Sequence, residues 1–216
     1  PDGSKLGANA MLGVSLACSR AGAQALQMPL YKYIREVFKV PHASLTGRLD
    51  FRLPSPMMNV LNGGRHADWT LDFQEFMIVP RIAKTQDQEI TKTRNHEITK
   101  TQDQEIDLRE SIRAGAEVFR ALHEVLQKKE YPTFIGDEGG YAVYLNKNED
   151  ALQLLVEAVQ KTEYELGSDI SFALDVAASE FYDKKKKWYE LKKERKTLTP
   201  VQLMDKYEGF FDRYPL

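Results

Sequence analysis

Four short stretches of this 216-residue chain set reactive side chains beside glycines or at the end of an apolar run. In Asn62-Gly63-Gly64-Arg65-His66-Ala67 the paired glycines let backbone come close to a ligand. A histidine there can hydrogen-bond an anion or carry a proton, though a tight turn with an exposed histidine reads equally from the same letters. Gln74-Glu75-Phe76-Met77 sets a glutamate in an apolar strand. Buried and unpaired it would cost several kcal/mol, so it either alternates outward or is held in a site. Gly136-Asp137-Glu138-Gly139-Gly140 reads as a loop aiming a carboxylate, or as an Asp/Gly turn. Asp175-Val176-Ala177-Ala178-Ser179-Glu180 places an acid where an apolar strand ends. Such an acid suits a hard cation, which takes carboxylate oxygens plus waters, or it caps the strand.

The elements between these stretches decide whether they can meet. Leu6 to Leu26 reads as a helix whose small residues Ala8, Ala10, Gly13, Ala17 and Ala21 would face another helix, with Cys18 packed as a small apolar residue. Pro29 starts a second helix with a stripe of Leu30, Tyr33, Ile34, Val37 and Phe38. A mixed linker follows over 39–52, with Pro41 and Gly47. Beyond it, strands are expected at 54–61, 73–80 and 134–136, and a buried parallel strand at 170–176. A helix over 108–129 carries Ile112, Ala116, Phe119, Leu122 and Leu126 on its apolar face, and another covers 149–163. Phe181 to Leu191 reads as a hairpin about a lysine turn, and Thr199-Pro200 opens a last helix to Tyr214.

Alternating strands and helices make this an α/β chain with helices in front. About three strands are of barrel type, too few to close a (β/α)8 barrel, which needs eight strands and about 250 residues. On that architecture, polar strand ends and Gly-rich turns mark the active face.

Composition excludes several classes. The chain is 42% hydrophobic and 29% charged with a net charge of -2, so neither a nucleic-acid surface nor an acidic tail is indicated. No apolar run reaches the ~18 residues of a membrane span, and no secretory leader opens the chain. With one cysteine and no internal disulfide, a cytoplasmic location is expected. Pro1 begins within a turn and Leu216 stands where a strand should start, so the chain reads as an internal stretch of a longer one.

Residues 83–106 are three tandem octads, the first and third differing only at their first position. Each has one isoleucine, and an octad drifts roughly 80° per repeat on a helix, so no apolar seam forms. They read as a solvated insertion that identifies no partner.

Taken with Lys5-Leu6-Gly7-Ala8-Asn9-Ala10, the four stretches resemble successive segments of enolase, in that family's order, over Ser4 to Pro215 apart from the octads. The resemblance implies that residues 1–50 are the closing helices of an α+β N-terminal domain. Residues 51–216 are then the first part of an enolase-type barrel, which begins ββαα. It implies magnesium-dependent dehydration of 2-phosphoglycerate to phosphoenolpyruvate, a glycolytic lyase step, and a homo-oligomer at full length. By resemblance, Asp175 is a magnesium ligand and Glu138 the acid that assists departure of the hydroxyl, with Glu75 its partner. His66 lies at the substrate's rim, and Gln74 supports Glu75.

The family's remaining metal carboxylates, lysine base and phosphate ligands have no counterpart in these residues, so the 216-residue chain by itself is expected to be inactive. Arg65 stands in place of a serine, Asp68-Trp69 in place of Gly-Asn, and Tyr141-Ala142-Val143 in place of Phe-Ala-Pro. A different class of function is open. Phe181-Tyr182-Asp183-Lys184-Lys185-Lys186-Lys187-Trp188-Tyr189 resembles the segment with which some surface-displayed bacterial enolases bind plasminogen, or is a solvated turn.

Overall fold

The computed structural model describes residues 5–39, 51, 53–83 and 106–216. It divides into two compact units, Pro1–Phe51 and Arg52–Leu216. The linker at 39–52 falls almost wholly outside the described residues, and so do the octads between their first and last positions. Those two ends are described: Ala83 and Ile106 pair antiparallel, so the chain departs and returns at one point.

The first unit holds α1 (Ala8–Ala25) and α2 (Leu30–Val37). Ala8, Ala10, Gly13, Ala17 and Ala21 are exposed, against expectation, and Cys18 is exposed too. The contact to α2 runs along another line, where Gly22 lies against the Tyr33 ring and Ala23 is buried.

The second unit contains β1 (Met58–Asn62), β2 (Glu75–Pro80), α3 (Leu108–Lys128), β3 (Tyr141–Ala142), α4 (Asn148–Gln160) and β4 (Ile170–Asp175). A small antiparallel sheet of β5 (Tyr182–Asp183), β6 (Trp188–Leu191) and β7 (Lys196–Leu198) follows, and then α5 (Pro200–Phe211). The main sheet has the order β3-β1-β2-β4 and does not close into a barrel. Strand β1 is parallel to β3, while β2 runs antiparallel to both β1 and β4. The strand at 170–176 therefore lacks the expected parallel neighbour, and only alternate residues of it are buried. The strand expected at 134–136 is displaced to Tyr141–Ala142, with Ile135 contributing a single bridge to Tyr141.

Helices α3 and α4 pack on one another and against β2. The buried stripe of α3 is Ser111, Ala114, Gly115, Val118, Ala121, Leu122, Val125 and Leu126. Ile112 and Ala116, expected on that face, are exposed, and Phe119 is half-buried. The rotation follows from close approach: Gly115 abuts Met58 of β1, and any Cβ there would collide with the Met58 sulfur. Small residues thus line the contact. Phe76, Ile78, Leu61, Leu122, Leu126, Leu152, Leu155 and Ile170 fill the core, each leucine or isoleucine contributing about 1.5–3 kcal/mol by burial.

Local chemistry sets the helix ends. The Asp107 side chain accepts from Glu110 N at 3.1 Å and caps α3. Thr199 and Gln202 exchange backbone and side-chain bonds at the start of α5, with Pro200 in the first turn where its missing N–H costs nothing.

A buried polar hub joins the sheets. Asn148 Oδ1 accepts from Phe73 N at 2.9 Å, and Asn148 Nδ2 donates to Glu194 Oε1 at 2.8 Å. Asp72 accepts from Lys193 N at 3.0 Å, and Lys206 Nζ lies 2.8 Å from Glu194. Burial alone would raise the Glu194 carboxyl, but the hydrogen bonds from Lys206 and Asn148 outweigh it and hold the group below its ordinary range. Lys206→Met would leave that carboxylate, whose side chain is 2% exposed, with its Asn148 bonds and the more distant Lys196 at 3.9 Å. The expected loss in urea unfolding at neutral pH is about 1.5–3 kcal/mol, with Lys206→Arg recovering part of it. A loss below about 1 kcal/mol would show that the charge is relieved by water instead.

Candidate active site

One transverse row of the sheet gathers the polar residues. Asn62 ends β1, Glu75 begins β2 and Asp175 ends β4. The register pairs Asn62 with Glu75 and Glu75 with Asp175, while Asn62 continues to Ala142 of β3. Because β2 is reversed, its first residue falls level with the last residues of its neighbours. Two backbone bonds prolong the row: Gly63 N donates to Gln74 O at 2.8 Å, and Gln74 N to Asp175 O at 3.1 Å. Gln74 is therefore fixed by its backbone between Gly63 and Asp175, and its side chain packs against Gly64.

His66 comes from the short 3-10 turn Gly64–Ala67 that follows β1. Its carbonyl accepts from Asp137 N at 3.2 Å, which draws the 136–140 loop over the row. Gly140 has to be glycine: a Cβ there would stand 2.8 Å from Leu61 N and overlap the Asn62 amide. So held, the loop brings Glu138 Oε2 within 3.0 Å of His66 Nδ1, while Glu75 Oε1 is 3.8 Å from the same nitrogen. Glu75 thus faces the site and does not alternate outward. Asp175 is exposed; its Oδ1 accepts from Ala177 N at 2.9 Å, which caps the strand end, and its Oδ2 has no hydrogen bond among the described residues.

Electrostatics divide the two glutamates. A hydrogen bond to Glu138 is the main reason that the Glu75 carboxyl is pushed up to about 7, aided by burial and by the charges of Glu138 and Asp175. The same bond with Glu75 holds Glu138 below its ordinary range, with the His66 charge assisting. Like charges this close cannot both ionise freely, so the pair retains one proton, with Glu75 the carboxyl that is raised and Glu138 the one that is lowered.

The residues fit magnesium at a single point. Asp175 offers a free carboxylate oxygen at the strand ends, the donor type that this ion takes. The histidine nitrogen beside the glutamates is not such a donor.

Sequence reasoning treated Asn62 as the start of a turn and passed over Asn59. Both side-chain amides are buried; Asn59 helps hold the Glu138 carboxyl below its ordinary range, while the Asn62 amide finds no hydrogen-bond partner among the described residues. An asparagine ending the apolar run Val60-Leu61-Asn62 was the available signal. The rim carries its own peculiarity: Asp68 and Trp69 both adopt positive φ, 48° and 58°, where the resembling family has Gly-Asn. Lys184, Lys185 and Lys187 are exposed at the β5–β6 turn, while Lys186 pairs with Glu190 at 3.3 Å.

The shared proton has a measurable consequence. Between about 4.5 and about 7, folded Glu75 keeps a proton that the unfolded chain has released, so stability falls as pH rises through that window. Glu138, being lowered, acts with the opposite sign below that window. In magnesium-free buffer, Glu75→Gln should flatten the decline in urea midpoint across this range. An unaltered decline in E75Q would place the proton elsewhere.

The C-terminal part of the chain matches the family model described as enolase, C-terminal TIM barrel domain, over residues 50–105 and 96–216. The two matched stretches overlap inside the octads. Residues 1–34 match the model described as enolase, N-terminal domain. With well over half its length in these matches, and with its paired glutamates and strand-end aspartate on one edge of an open sheet, the chain belongs to the enolase family.

Proposed function

We propose that these residues are part of a phosphopyruvate hydratase active site, which removes water from 2-phosphoglycerate to give phosphoenolpyruvate. The observation that carries this reading is the Glu75–Glu138 pair: two carboxylates sharing one proton beside His66, level with Asp175. The reaction breaks the C2–H and C3–O bonds, forms the C2–C3 double bond and releases water. Expulsion of hydroxide is slow, so a proton must reach the C3 oxygen as the bond breaks. Glu138, the more exposed of the two, delivers it. Since the proton rests on Glu75 in the free protein, it crosses their hydrogen bond to Glu138 when the substrate arrives. Glu75 then remains as the partner carboxylate that receives the next proton. His66 orients the substrate at the rim, and the Gln74 backbone keeps Glu75 and Asp175 at a fixed spacing.

Asp175 would hold magnesium, whose charge stabilises the carbanionic form of the substrate carboxylate. A single carboxylate is a poor magnesium site, because the ion usually takes one or two carboxylates together with substrate oxygens. The C2 proton also needs a base that the described residues do not supply. The reading therefore carries a cytoplasmic glycolytic enzyme that is a homo-oligomer at full length, and a 216-residue chain that is inactive by itself.

Purified as 216 residues, the chain should form no phosphoenolpyruvate from 2-phosphoglycerate in excess magnesium. Calorimetry should find weak magnesium binding that disappears in Asp175→Ala. Turnover above background, or magnesium binding that survives D175A, would overturn this assignment.

A further inference from the structure

We propose that Asn59 is a positioning residue for the acid pair: a bulge in β1 turns its amide onto the face of Glu75, where it holds Glu138 from the sheet side. Only the catalytic meaning of that role rests on the proposed lyase reading; the placement itself stands on the fold.

Strand geometry supplies the first argument. Successive residues of a strand point to opposite faces, so two residues three apart in a regular strand face away from each other. Asn59 and Asn62 do not. The register pairs Asn59 with Met77 and Asn62 with Glu75, and Met77 and Glu75, two apart on β2, share a face. The register shifts between Asn59 and Leu61, so Val60 is an extra residue in β1. Val60 and Leu61 are consecutive, yet both are buried in the core. A bulge re-aims side chains in this way, and bulges are over-represented beside active sites. Here it sends an apolar pair into the core and leaves an asparagine on either side of that pair on the face of Glu75.

The two asparagines meet the 136–140 loop at different points. Asn62 is wholly buried in the neck of the loop: a Cβ on Gly136 would stand 2.7 Å from its amide nitrogen, and one on Gly140 would overlap its oxygen. Asn59 meets the tip, where its amide hydrogen-bonds the Glu138 carboxylate. An ionised carboxylate only accepts, so the amide N–H donates. His66 Nδ1, 3.0 Å from Glu138 Oε2, holds the same carboxylate from the 3-10 turn. The Asn59 amide is buried, whereas the Glu138 side chain is 42% exposed. Glu138 is thus gripped on its inner side and keeps an outer side for a reacting molecule. A neutral donor fixes the direction of the carboxylate without adding a charge to the pair. Direction matters for an acid that protonates a leaving oxygen, since a misplacement of about 1 Å can cost about 100-fold in rate.

Amide hydrogen exchange of the 216-residue chain tests this, because three loop amides are bonded. Gly136 N donates to Gly140 O at 2.7 Å, Asp137 N to His66 O at 3.2 Å and Gly139 N to Gly136 O at 3.1 Å. Asn59→Asp keeps the shape but turns the donor into an acceptor that repels Glu138. It should speed exchange of these amides about tenfold, the equivalent of one lost hydrogen bond to a charged group, while the amides of β2 keep their rates. Adding Glu138→Gln restores a donor–acceptor pair with the roles exchanged, so N59D/E138Q should return the loop to within about threefold of the unaltered chain. A residue that merely packs would show no such rescue. If N59D does not fold, Asn59→Ser takes its place and should speed loop exchange about tenfold alone but less than about twofold in an E138Q background. Loop exchange unchanged by loss of the amide, N59D acceleration that E138Q does not reverse, or equal acceleration by N59S in both backgrounds would overturn the role. No arm reads turnover, so this result and the lyase reading stand or fall separately.

Discussion

Strand β2 runs against both of its neighbours, and the remainder of the site follows from that reversal. In a sheet of parallel strands, the residues that come level are like ends of strands, separated in sequence by a whole crossover. Here the chain turns directly from β1 into β2, so Glu75 comes level with Asn62 on one side and Asp175 on the other. Register is strict where one face is buried, because a slip of one residue would send every side chain to the opposite face. Phe76 and Ile78 are fully buried on β2 and lock that register. The packing of the core thereby sets the position of a carboxylate at the rim.

That carboxylate would be a liability without its partner. A half-buried glutamate beside a second glutamate and an aspartate can be stable only by keeping a proton or gaining a counter-charge. The free protein does the first, and a metal or substrate can do the second. The loop bearing Glu138 is held for this purpose by Gly140 and by the bond from Asp137 N to the His66 carbonyl, which leaves little slack between the two acids. Farther along, the Asp72–Asn148–Glu194–Lys206 hub ties the connection between β1 and β2 to α4, to the turn between β6 and β7, and to α5. The same connecting segment carries His66, so the buried hub and the site share one short stretch of chain.

How far this was legible in the sequence depended on the range of the interaction. The starts of the helices at 108 and at Thr199-Pro200 were placed to the residue, where Asp107 and Thr199 cap them, while α5 ends at Phe211 and not at Tyr214. The four polar stretches were found because glycine next to an acid or histidine, or an acid at the end of an apolar run, is a local pattern too. What failed was long-range. On the expected face of α3, Leu122 and Leu126 are buried and Phe119 packs against the core. Ile112 and Ala116 were misread, because Gly115 and Ala114 look less apolar than Ile112 yet permit the close contact with Met58. The neighbour of β4 was taken as parallel because an apolar run does not record strand direction. Cys18 and the small residues of α1 were assigned a partner that the described residues of their own unit do not supply. The hub was invisible, since Asp72 and Glu194 are 122 positions apart and each alone reads as surface charge.

The turn after His66 shows what the departures from the family pattern cost. Asp68 and Trp69 both occupy the left-handed region, where a side chain meets backbone and costs roughly 1–2 kcal/mol per residue. Glycine would relieve the first position, and asparagine is among the residues that tolerate the second. The strained turn persists because its backbone is bonded at both ends: Trp69 N donates to Gly64 O at 2.7 Å and Thr70 N to Ala67 O at 3.0 Å. The Thr70 hydroxyl adds a bond to Asn62 O at 3.2 Å, and Leu71 and Phe73 anchor the turn from the core. Strain at a rim position is tolerated only where packing over-determines the backbone. Trp69 thereby becomes a wall of the cavity of about 210 Å³ that it shares with Glu180, Tyr182 and Lys192. The side chain that strains the turn thus also lines a cavity that reaches Asp72 of the buried hub and Glu180 beyond β4, so the two effects are one structural event.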